Sequence, residues 1–116
     1  MVIITPGHKY ELENFENRKA IGQALQFIQK EPIPDQQIPN ADGSVTVVPG
    51  GFKTVCDGTT NEEVLEVLID RMQFVNAKHR CLENDLVIMK LTESLALLNK
   101  RTADRQKRGV EGTNNA

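Results

Sequence analysis

The stretch TNEEVLEVLIDRMQFVNAKHRCLENDLVIMKLTESLALLNKRTADRQKRG, residues 60–109, reads as the helical half of the chain, because from Thr60 to Arg108 it contains neither glycine nor proline. Thr60-Asn61-Glu62-Glu63 has the form of a capping box and predicts a helix start. Leu65, Leu68, Met72 and Val75 follow at spacings of three and four, an apolar stripe that continues to about His79. A second periodic run, Ile88, Leu91, Leu95 and Leu98, continues through Arg105 and stops at Gly109, a natural helix C-cap. The linker His79-Arg80-Cys81-Leu82 is short, so the two helices are expected to fold back on each other as an antiparallel hairpin.

Toward the N-terminus the chemistry changes. Every proline and six of the eight glycines lie at or before Gly58. Tyr10-Glu11-Leu12-Glu13-Asn14-Phe15 alternates with period two, and Val45–Val48 and Phe52–Val55 are β-branched or aromatic runs, so all three read as strands. Pro32, Pro34 and Pro39 make residues 31–42 a loop, and Gly50-Gly51 after Pro49 suits a turn between strands. Residues 18–30 are ambiguous: Ile21, Leu25 and Ile28 have helical spacing, which tips the periodicity toward helix, while Leu25-Gln26-Phe27 also fits a strand. The expected organisation is a β-rich region over residues 1–57, a helical hairpin over 58–109 and a flexible tail over 110–116.

The chain has 116 residues and a net charge of −2, which excludes a protein built to coat long nucleic acid. With 39% apolar but only 4% aromatic residues, it is expected to have a small core, to which association would add apolar burial. Cys56 and Cys81 have no metal-ligand spacing and no disulfide framework around them, and read as reduced thiols in a cytosol. The apolar start Met1–Ile4 is interrupted by Thr5-Pro6-Gly7-His8, far short of a secretory or membrane-spanning segment, so a soluble, non-exported protein is expected. No catalytic constellation is present: His8 and His79 lack metalloprotease spacing, neither cysteine has a histidine nearby in sequence, and Gly50-Gly51 lacks the Lys-Ser/Thr of a phosphate loop. Glu62, Glu63 and Glu66 suit the positive end of a helix dipole.

The residues that do not fit a plain hairpin are off the apolar stripes. Val67, Asp70, Arg71, Phe74 and Lys78 share a second face, on which Phe74 either covers other apolar surface or offers a stacking platform for a purine. Arg101 and Arg105 are four apart, on a line extended from Leu97. They either complement the helix dipole, with Asp104 pairing Arg101, or converge on phosphate oxygens as planar bidentate donors. Asn84 is either a first-turn polar residue or an amide donor and acceptor for a base edge or ribose hydroxyl. In an antiparallel hairpin Phe74, His79 and Asn84 are carried to the same end.

Residues 57–71, Cys81-Leu82-Glu83-Asn84, Arg101-Thr102-Ala103-Asp104-Arg105 and Arg108-Gly109-Val110-Glu111-Gly112 closely resemble a family of small phage proteins, the Thoeris anti-defence and anti-CBASS sponges, which share a helical hairpin. Residues 10–16 are similar to the opening strand of the Thoeris-type members, whereas residues 1–9 and the proline-rich loop are unmatched. The resemblance implies a non-enzymatic homo-oligomer, a hexamer, without cofactor or metal, which acts in the host bacterial cytoplasm. It would bind a glycocyclic ADP-ribose signal, made from NAD by a TIR-domain protein, and withhold it from its effector. The family's signal pocket matches Phe74 and Asn84, and its separate cyclic-trinucleotide pocket matches Arg101 and Arg105. Its strand order shifts residues 23–31 toward a strand and the fold class to α+β: a small N-terminal antiparallel sheet followed by the two-helix hairpin. A sponge for CBASS cyclic oligonucleotides alone, and an adaptor hairpin that merely oligomerises, are the competing readings.

Overall fold

Two helices, α1 (Asn61–Lys78) and α2 (Leu82–Lys107), run antiparallel in a hairpin, as the periodicity requires. The structure is a computed structural model that describes residues 1–109; the expected tail lies outside the described residues. α1 starts where Thr60 Oγ1 accepts the Glu63 N–H at 3.2 Å, the predicted cap. Glu63 does the reciprocal half of the box differently, accepting the Thr59 hydroxyl at 2.8 Å. α2 is capped by the Cys81 sulfur, which accepts the Asn84 N–H at 3.4 Å, and ends at Gly109, whose φ of 72° is the left-handed conformation that favours glycine.

The seam between the helices corrects the sequence reading in one respect. Leu65, Ile69, Met72 and Asn76 are half-buried on α1, whereas Leu68 remains 43% exposed. Ile88, Leu91, Leu95, Leu98 and Thr102 are half-buried on α2, and Arg105 is buried. Both lines advance by alternating steps of three and four, the seven-residue repeat of a two-helix seam rather than the drifting face of a straight helix. Polar pairs close the seam at both ends. Thr102 Oγ1 donates to Glu62 at 3.3 Å, and the Asn76 amide donates to Asp85 at 2.7 Å.

The first unit, Met1–Gly58, is all β. Strands β1 (Val2–Thr5), β2 (Lys9–Leu12) and β3 (Gln23–Gln26) form an antiparallel sheet in that order. Tyr10 and Phe27 meet edge to face with ring centres 6.0 Å apart. The helical spacing in residues 18–30 does not make a helix; the strand that the resemblance implies over 23–31 forms instead, beginning with β3. It follows a chain reversal at residues 17–20, where the Ala20 N–H donates to the Asn17 carbonyl at 3.2 Å, and Gly22 passes close to Leu12. A Cβ at Gly22 would lie 1.6 Å from the Leu12 carbonyl oxygen, so only glycine permits the approach. Phe15, expected in a strand, sits in the β2–β3 loop, and the apolar start Met1–Ile4 contributes β1.

Strand β4 (Gln29–Pro32) pairs with β7 (Phe52–Cys56), and β5 (Gln36–Pro39) pairs with β6 (Val45–Val48), all antiparallel. β5 lies inside the proline-rich stretch that reads as loop. The three prolines of the stretch fall where strands tolerate them, Pro32 at the last position of β4, Pro34 outside the ladders and Pro39 at the last position of β5. The expected small core is absent. Among the described residues no apolar side chain is buried, and Arg105, at 6% exposure, is the one buried residue.

Candidate functional site

The closed end of the hairpin is held by backbone and side-chain hydrogen bonds. The Asn76 amide donates to one oxygen of Asp85 at 2.7 Å, Arg80 Nε donates to the other at 3.2 Å, and the Cys81 N–H donates to Asn76 Oδ1 at 3.2 Å. Donation by Asn76, and then the Arg80 guanidinium, hold the Asp85 carboxyl below the usual carboxylate range. This cluster fixes the C-terminal end of α1, where Phe74 lies just before the last turn, against the first turn of α2, which carries Asn84.

Val67, Arg71, Phe74 and Lys78 advance by four, three and four along α1, a line about half a turn round from the seam residues Leu65, Ile69, Met72 and Asn76. Phe74 is therefore 55% exposed. Four residues on, Lys78 lies over it with Nζ 4.5 Å from the ring centre, an ammonium attracted by the face of the aromatic ring. The pair offers a flat apolar surface with a cation at hand.

Asn84 is half-buried in the first turn of α2. Its backbone N–H is committed to the Cys81 cap, but its side-chain amide makes no hydrogen bond among the described residues. Phe74 and Asn84 thus reach the same end of the hairpin on different faces, Phe74 behind α1 and Asn84 on the seam side of α2. His79, exposed, is the C-cap of α1, with its N–H donating to the Val75 carbonyl at 3.1 Å.

The two arginines have separate environments. Arg101 is exposed and forms no ion pair among the described residues, so the expected Asp104 partner is not engaged. Arg105 is buried and makes interactions of its own. Seven residues beyond Leu98, it extends the seam, not the Leu97 line to which the sequence reading assigned it. Sequence reasoning also missed the tip cluster of Asn76, Arg80 and Asp85, whose partners are five and nine residues apart and meet only once the hairpin turns. The Phe74–Lys78 contact was legible as an i, i+4 pair.

Among the described residues no group of three or more His, Cys, Asp or Glu is placed to hold a metal ion, and no helix is long and apolar enough to cross a membrane. No protein-family model matches the chain. The chain is 50% identical over 58 residues to "Thoeris anti-defense 1" of Bacillus phage SBSphiJ7, a match covering 49% of this chain and 41% of that protein. The chain therefore spans less than half the length of this curated relative, and the match supports the resemblance to the Thoeris anti-defence family.

Proposed function

We propose that this protein is a phage anti-defence sponge. It captures the glycocyclic ADP-ribose signal of Thoeris immunity in the host bacterial cytoplasm, takes cyclic trinucleotides at a second site, and hydrolyses neither. The observation that carries the reading is the closed end of the hairpin. There an exposed Phe74 ring with Lys78 Nζ 4.5 Å above it and an uncommitted Asn84 amide are carried to the same end on different faces, in a chain similar to an anti-defence protein.

Each group has a task that its chemistry fits. The adenine stacks on Phe74, a contact worth roughly 1–3 kcal/mol. Lys78 meets the diphosphate, and the Asn84 amide donates to and accepts from a base edge or ribose hydroxyl. A sponge must outcompete the effector, and nanomolar affinity requires about −12 kcal/mol. Stacking supplies only a fraction. The rest comes from enclosing the ligand between rigid helices of neighbouring copies, where little ordering is left to lose and water is excluded. The β-rich region, residues 1–57, serves assembly, and the hairpin, residues 58–109, holds the ligand. At the second site Arg101 offers an exposed guanidinium, with Arg105 fixing the helix that presents it.

The test is calorimetry with purified glycocyclic ADP-ribose. Phe74→Ala and Asn84→Ala should each abolish measurable binding while the assembly, followed by light scattering, keeps its mass. Undiminished affinity in either variant would refute this site.

A further inference from the structure

Residues 29–56 form one long hairpin in two halves. Pro32–Phe52 closes the β4–β7 ladder and Gln36–Val48 opens the β5–β6 ladder, four residues on along both strands, so the register passes through the interruption unshifted. At the interruption Ile33 N–H donates to the Gly51 carbonyl at 2.8 Å, and the Gly50 N–H donates to the Asp35 carboxylate at 3.0 Å. The tip is closed by Asn40 N–H to the Ser44 carbonyl at 2.8 Å and Gly43 N–H to the Asn40 carbonyl at 3.1 Å. Among the described residues β5 and β6 neighbour only each other, which leaves two open edges of the kind natural sheets guard against.

The two edges are not alike. Hydrogen-bonded and non-hydrogen-bonded pairs alternate along an antiparallel ladder, so the Asn40–Ser44 closing pair makes Ile38–Thr46 and Gln36–Val48 the inward-bonded pairs. The backbone groups of Gln37 and Pro39 on β5, and of Val45 and Val47 on β6, then point away from the ladder. Pro39 has no N–H, so the β5 edge is half blanked. Counted from the Ile33–Gly51 bond, Pro32 blanks the β4 edge in the same way. The β6 edge has no such guard. Val45 and Val47 each present an N–H and a C=O there, and their side chains are 53% and 54% exposed. Between Ile33 and Gly51 the only charged residues are Asp35 and Asp42, neither of them on β6.

We propose that the β6 edge pairs antiparallel with the β6 edge of a second copy of this chain, giving a four-stranded sheet about a twofold axis at Thr46. The outward-facing residues, Val45 and Val47, are symmetric about Thr46, so Val45 meets the partner subunit's Val47 in hydrogen-bonding phase with no adjustment. The two Thr46 side chains face each other in the closer, non-hydrogen-bonded pair, and four valines gather on one face. Pro49 ends the pairing, and the two Asp42 side chains lie at opposite ends, clear of mutual repulsion. The inference rests on the homo-oligomer in the proposed function but not on its ligand.

Single-cysteine cross-linking tests it. In the full chain carrying Cys56→Ser and Cys81→Ser, Thr46→Cys should form a reducible covalent dimer on copper-phenanthroline oxidation, because facing residues of a close antiparallel pair are within disulfide reach. Gln36→Cys, on the guarded β5 edge, should remain uncrosslinked. Independently, Val47→Pro removes an outward N–H without touching the β5–β6 ladder and should lower the assembly mass by light scattering, while Gln37→Pro leaves it unchanged. If Thr46→Cys stays uncrosslinked and the mass exceeds one chain, this edge is refuted and the oligomer survives. If the mass is that of one chain, both fail.

Discussion

Arg101 and Arg105 are one helical turn apart, yet one is exposed and the other is the sole buried residue among those described. A guanidinium does not leave water without fixed acceptors, so truncating Arg105 strands those acceptors as well as removing the donors. Arg105→Ala is accordingly expected to destabilise the fold by about 1–3 kcal/mol. Arg101→Ala should lie within about 0.5 kcal/mol of the parent, as exposed substitutions do. Urea unfolding measures both. Cyclic-trinucleotide binding should then be lost cleanly only in Arg101→Ala, whose fold is intact; equal stability of the two variants would contradict the separation of roles.

At the scale of elements the hairpin is fixed by its seam and locked at its tip. The Asp85 carboxyl, held low by Asn76 and Arg80, stabilises the tip fully above the ordinary carboxylate range and loses that contribution as pH falls through its depressed pKa. Removing the donor in Asn76→Ala should raise the Asp85 pKa toward the usual value and move the loss to higher pH. An NMR titration of the Asp85 carboxyl carbon reads this directly, and an unshifted midpoint would refute the assignment. The hairpin itself was legible because its determinants are local: the Thr60 cap, the absence of Gly and Pro, the Gly109 stop and a four-residue turn. The phase of its seam was harder. Leu68 and Ile69 are equally apolar, and a repeat of seven rather than of 3.6 is what brings Ile69 inward and continues Leu98 to Arg105. In the β unit, Leu25 and Ile28 imitated a helix, while prolines that read as loop occupy strand positions where their missing N–H costs no bond. Of the candidate site, Phe74, Asn84, Arg101 and Arg105 were named from sequence. The sequence did not place Arg105 in the seam, nor did it show that Phe74 and Asn84 would face different ways.

For the whole molecule the governing fact is the absence of any buried apolar side chain among the described residues. Apolar residues left in water, among them Leu82, Leu86, Met89 and Leu97 along the outer side of α2, are surface that association with further copies of the chain would cover. Stability should therefore depend on concentration: a hundredfold dilution should lower the melting temperature by roughly 5–10 °C. A melting temperature indifferent to dilution would contradict an obligate assembly. Capture without chemistry is tested by loading the purified protein with glycocyclic ADP-ribose, removing free ligand by filtration, denaturing the protein with heat and chromatographing what is released. The intact signal should be recovered in proportion to protein; a hydrolysed product, or no retained nucleotide, would overturn the sponge reading.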